Sequence, residues 1–180
     1  MNKLNAATLV AVVMTALVLY VLAWIPAIPV WAVFISWACF FHMNGGESRN
    51  QAWLSTLLHI GVGIVSAWLS ALVVLSNPLA HASVGAWWAP VIIGLVIGVL
   101  FRLGVSARFS ITPAIIYGYA GTFAFLSVPG RFSKESLMSL SLDNVLLAMG
   151  ISLALGISAG YVNAIVVERL CMVRLKGSKA

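Results

Sequence analysis

Residues 52–75 read AWLSTLLHIGVGIVSAWLSALVVL. No Asp, Glu, Lys or Arg interrupts them. As a helix they reach about 36 Å, enough to cross the roughly 30 Å of a bilayer's hydrocarbon. Their polar residues are not scattered: Thr56, His59, Gly63, Ser66 and Ser70 recur in steps of three and four, which sets them on one helical face. Polar groups turned to lipid are costly, so this stripe is expected to face the inside of a bundle.

Working outward, five more apolar runs flank this one. They cover about Ala6–Ile25, Val30–Met43, Ala86–Phe101, Phe109–Ser127 and Val145–Val167. The first is too long for a signal peptide's apolar core and lacks a small-residue cleavage site, so it is expected to be a retained span. Over the whole chain 62% of residues are hydrophobic and 8% charged. A soluble domain carries about 25% charged residues, so this chain could not cover a water-facing surface. The expectation is an all-α, polytopic membrane bundle of about six transmembrane helices in a single domain.

Loop charge sets the expected orientation. Lys3, Arg49, Arg102, Arg108 and the tail residues Arg169, Arg174, Lys176 and Lys179 fall on one side of a six-span chain, and only Arg131 and Lys134 on the other. The excess of basic residues marks the cytoplasmic side. Both termini are therefore expected in the cytoplasm, with a basic tail over residues 168–180. The net charge of +6 is a topology signal, not a nucleic-acid footprint. Cys39 lies in an apolar run and Cys171 in the tail, so no disulfide is expected.

The two halves, 1–76 and 84–170, resemble each other. Ile28-Pro29 leading to Phe40-Phe41 and Gly45 parallels Thr112-Pro113 leading to Phe123, Phe125 and Gly130. Leu57-Leu58, Gly61, Ser66-Ala67 and Val73-Val74 parallel Leu146-Leu147, Gly150, Ser158-Ala159 and Val166-Val167. Three spans per half makes a 3+3 inverted repeat, a plan recurrent in transporters, with the solute site where the repeats meet.

The sixth span has a polar stripe of its own, Ser152, Gly156, Ala159 and Asn163. Gly94/Gly98 and Gly156/Gly160 are small-residue pairs at one-turn spacing, read first as helix-packing positions. Trp31, Phe34, Trp37, Phe40 and Phe41 crowd the second span, and Tyr117, Tyr119, Phe123 and Phe125 the fifth. Interfacial belts account for Trp24, Trp31, Trp87 and Trp88. Trp37 and Phe123 lie nearer mid-depth, where a hydrophobic constriction becomes the better reading. No residue set fits a metal site, a nucleotide loop or a hydrolytic triad, so no cofactor and no enzymatic activity are expected.

The second span, Trp31-Ala32-Val33-Phe34 through Cys39-Phe40-Phe41 to Gly45-Gly46, resembles the matching segment of the YcdZ/YahC-like family of uncharacterised bacterial inner-membrane proteins. So does the fifth, Pro113-Ala114-Ile115-Ile116-Tyr117-Gly118-Tyr119-Ala120-Gly121-Thr122-Phe123-Ala124. Tyr117 stands where that family's pattern suggests phenylalanine, and the basic tail is this chain's own. The resemblance implies a bacterial inner membrane and a similar span number, and it transfers no active residues.

The function expected is a channel or facilitator for a small uncharged polar solute such as urea, an amide or ammonia. Trp37, Phe41, Tyr117 and Phe123 would form its constriction. Thr56, His59, Ser66, Ser152 and Asn163 would offer hydrogen bonds along the path. Two rivals stand beside it. One is a non-conducting structural or regulatory subunit packed through its glycine pairs. The other is a proton-coupled transporter using protonation of His59 as its switch. A homo-oligomer in the bilayer is expected, with no nucleic-acid partner.

Overall fold

The computed structural model describes residues 2–177, with side chains described as far as Met172. The rest of the predicted basic tail, including the side chains of Arg174 and Lys176 and all of Lys179, lies outside the described residues. Seven α-helices make up the described chain, and no strand occurs among the described residues. They are α1 (Lys3–Leu22), α2 (Val30–His42), α3 (Arg49–Leu75), α4 (Trp88–Leu103), α5 (Thr112–Leu126), α6 (Lys134–Met138) and α7 (Val145–Gly177). Six of them coincide with the six apolar runs. Four stretches are long and apolar enough to cross a bilayer: α1, α3, Gly85–Leu103 and Val145–Met172.

Helix ends follow local chemistry. The Asn2 side chain accepts from the Asn5 amide and starts α1 at Lys3, three residues before the expected Ala6. The helix stops at Leu22 rather than Ile25, ahead of Pro26, which disfavours helical backbone in the residue before it. Pro29 precedes α2 in extended backbone, and Pro113 sits in the first turn of α5, where its missing N–H costs nothing. The connection at 131–144 holds α6. Ser133 caps it by accepting from the Ser136 amide, and Leu137 is fully buried. The Trp68 indole N–H donates to the Leu137 carbonyl at 2.7 Å, and the Asn144 amide also reaches that carbonyl.

α3 and α7 form the centre and run antiparallel. Arg49 pairs with Glu168, Tyr161 donates to Asn50, and Gly61 lies nearest Leu153. α5 packs chiefly on α3, and α2 chiefly on α7. Both pairings are parallel: His59 meets Phe109, Gly63 meets Ile115 to Tyr119, and Ser70 meets Tyr119. Likewise Gly156 meets Val33 to Trp37, and Gly160 meets Trp37 and Phe40. α1 lies along α7 and α4 along α3.

α2 and α5, with 13 and 15 residues, reach only about 20 and 22 Å. Neither can cross a hydrocarbon core alone. Gly63 lies near the middle of α3 and faces Ile115 in the first turn of α5. Gly156 lies near the middle of the apolar part of α7 and faces Val33 in the first turn of α2. Both short helices therefore begin near mid-depth of the bundle and run toward opposite ends.

Candidate functional site

α1 and α2 touch where their turn folds, through Val18, Leu22, Ile28, Val30 and Val33. Beyond it they diverge, each resting on α7. The gap between them is a groove of about 870 Å³. Ala7, Ala11 and Thr15 of α1 make one wall at one-turn spacing. Phe34, Trp37, Ala38 and Phe41 make the other. Asn163, Ala164 and Val167 of α7 form the floor. Phe34 and Trp37 stack with centroids 5.9 Å apart. At the mouth stand Lys3, Glu47, Arg49 and Glu168. The Arg49 guanidinium donates to the Glu168 carboxylate there. The groove thus passes from a charged rim to an aromatic wall with Asn163, a polar amide that is 5% exposed, on its floor.

Three of the nine residues expected along a solute path meet in this groove: Trp37, Phe41 and Asn163. The others lie elsewhere. Thr56 is fully buried and donates to the Ala52 carbonyl, and Ser152 is fully buried and donates to the Ala148 carbonyl. Ser66 is half-buried on α3, where its carbonyl accepts from Ser70. Tyr117 is exposed, and Phe123 packs against Tyr119 with centroids 5.2 Å apart. His59 is buried with Nδ1 2.7 Å from the Ser55 carbonyl. A carbonyl only accepts, so in the neutral ring Nδ1 carries the proton and Nε2 is a lone pair. Nε2 is buried and has no partner among the described residues.

The glycine pairs divide. A Cβ at Gly156 or Gly160 would collide with α2, whereas Gly94 and Gly98 have nothing within 4 Å. Gly156/Gly160 is thus a packing pair within this chain, and Gly94/Gly98 is an open face. The sequence reading missed the α1 wall and the charged rim. The spacing of Ala7, Ala11 and Thr15 was a usable signal, but only together with knowledge of which helix faces α7. Among the described residues, no group of three or more His, Cys, Asp or Glu is placed to hold a metal ion.

A family model described as "Protein of unknown function (DUF1097)" matches residues 7–168. That is most of the chain, and the chain belongs to this family. No curated protein and no solved structure matches it.

Proposed function

For this member of the DUF1097 family we propose a polytopic protein of the bacterial inner membrane that passes a small uncharged polar solute, of the urea, amide or ammonia class, without a catalytic step. The observation that carries the reading is the groove between α1 and α2. It combines a charged mouth, one aromatic wall and a deep carboxamide, with no ionised side chain among the described residues at the depth of Asn163. An ion would lose hydration there without a compensating charge. A neutral polar molecule would lose only a few water contacts, and Asn163 can replace some with its two donors and one carbonyl acceptor.

Six membrane helices in a 3+3 inverted repeat complete the proposal. Its support is reciprocal packing: in each half the second helix lies on the third helix of the other half, and so does the first. The halves begin their short helices near mid-depth, as broken helices of repeat-built transporters do. Both termini are assigned to the cytoplasm, so the groove opens there.

Proteoliposome swelling tests the function. Urea, formamide and ammonia should enter faster than in empty vesicles. Trp37→Ala should change selectivity, and Asn163→Leu should lower the rate at least about tenfold, the cost of stripping a solute of one hydrogen bond in a dry site. Permeability equal to that of empty vesicles for all candidates sinks the proposal.

Two observations favour other readings. The open Gly94/Gly98 face of α4 suits a helix contact in a homo-oligomer or with a partner subunit. The bare Nε2 of His59 suits proton coupling. Flux that ignores both a pH gradient and His59→Ala would remove the second.

A further inference from the structure

The two long helices meet the two short ones in the same register. A Cβ built on Gly63 falls against the Ile115 carbonyl, 3.0 Å from the Gly118 Cα and 2.7 Å from the Tyr119 amide. One built on Gly156 falls against the Val33 carbonyl, 2.7 Å from the Ser36 Cβ and 3.0 Å from the Trp37 amide. The order of contacts is identical: a carbonyl, the residue three later, the amide four later. It pairs Gly63 with Gly156 and Tyr119 with Trp37. Two turns beyond each glycine stand Ser70 and Asn163, which are therefore counterparts as well.

The counterpart pairs are in different states. Tyr119 donates to Ser70 Oγ at 3.2 Å, whereas no hydrogen bond joins Trp37 to Asn163, although all four residues are buried. Trp37 and Asn163 stand on the wall and floor of the open groove. The neighbouring helices differ in the same sense: α4 packs on α5, while α1 and α2 part beyond their turn.

We propose that Tyr119–Ser70 and Trp37–Asn163 are the two gates of an alternating pathway, one shut and one open in this structure, and that they exchange. This rests on the inverted-repeat part of the reading above. In the exchanged state α1 closes on α2, and the Trp37 indole N–H donates to the Asn163 amide oxygen, as Tyr119 now donates to Ser70. On the other side α4 parts from α5 and the Tyr119–Ser70 bond opens. The chemistry permits this, because an indole N–H is an obligate donor and a carboxamide offers an acceptor. The small side chains of Ala7, Ala11, Ala38 and Ala164 let the groove close without displacing bulk. Two related packings of one architecture can differ by only a few hydrogen bonds, so both states are populated.

The test reads the open gate while altering the shut one. Cys39→Ala and Cys171→Ser remove the native thiols, and Ala164→Cys places one reporter on the groove floor. Its modification by a water-soluble maleimide is timed in full-length protein in liposomes. Tyr119→Phe and Ser70→Ala each weaken the shut gate, so each should slow modification, by up to about 5-fold, the shift in equilibrium that one hydrogen bond of ordinary strength supports. The double variant should be no slower than either single one. Trp37→Phe, which removes the donor that would close the groove, should speed it. Modification unchanged or faster in both shut-gate variants, each eluting as a single folded species, overturns the proposal. No solute is needed, so exchanging gates without flux would sink the solute reading and leave this inference standing.

Discussion

Gly63 and Gly156 do the same task in the two halves, each bringing a long helix's backbone against the first turn of a short one. Alanine at either should destabilise the protein by about 1–3 kcal/mol, because backbone is in the way and cannot swing aside. Alanine at Gly94 or Gly98 should leave monomer stability unchanged or raise it by up to about 1 kcal/mol, since nothing lies within 4 Å and alanine is the better helix former. Unfolding in detergent micelles checks both, and an equal loss at all four positions would contradict the packing described. His59 shows the reverse economy. Its Nε2 lone pair is buried without return, so His59→Leu should leave stability unchanged or raise it by about 1 kcal/mol. A loss of several kcal/mol would mean that a structural partner of Nε2 exists. All these residues were visible in the sequence as small or polar breaks in apolar runs. Their spacing placed them on faces, but it could not tell which glycine pair meets its own chain, because α4 and α7 are alike in composition.

At the scale of elements, α6 closes one end of the bundle. It sits on α3 and α7 with Leu137 fully buried and held by Trp68 and Asn144. Leu137→Ala should cost about 2–5 kcal/mol, and Trp68→Phe about 1 kcal/mol, the worth of the lost indole bond. The Arg49–Glu168 pair at the other end is half in solvent. Glu168→Gln should therefore cost less than about 1 kcal/mol. Chemical denaturation of the three variants gives the ranking, and a Glu168→Gln loss as large as that of Leu137→Ala would refute it. The long helices were legible because unbroken hydrophobicity at that length has few other outcomes. The cap was not, because its signal is one Ser133 and a short apolar pair, Leu137-Met138, among polar residues. Leu137 becomes buried only because a hydrophobic site between α3 and α7 receives it, while Met138 stays exposed.

For the whole molecule, the testable feature is orientation. Lys3 and Glu168 lie at one mouth, so the start of α1 and the later turns of α7 occupy the same end of the bundle. With both on the cytoplasmic side, a reporter active only outside the cytoplasm should be silent when fused at either terminus and active when inserted near Lys134. Activity at either terminus would reverse the assigned orientation and put the groove on the far side. The asymmetry between ends, with α6 over one and an open groove at the other, is a property of the assembled bundle. The charge pattern of the loops predicts the sides but not which one is open.

The amino-acid sequence by itself determined that the chain is helical, where its six apolar helices lie, and that two of them are led by proline. Hydrophobic run length and proline geometry are local, and each acts on its own stretch of chain. Only the tertiary structure decided that the second helix of each half rests on the third helix of the other. It alone decided that Trp37, Phe41 and Asn163 share a groove while Tyr117 and Phe123 do not, and that Ser70 and Tyr119 are joined. Apolar helices can pair in many ways at similar energy. The choice falls to close contacts between residues far apart in the chain, at Gly63, Gly118, Gly156 and Gly160, where the absence of a side chain lets two particular backbones meet.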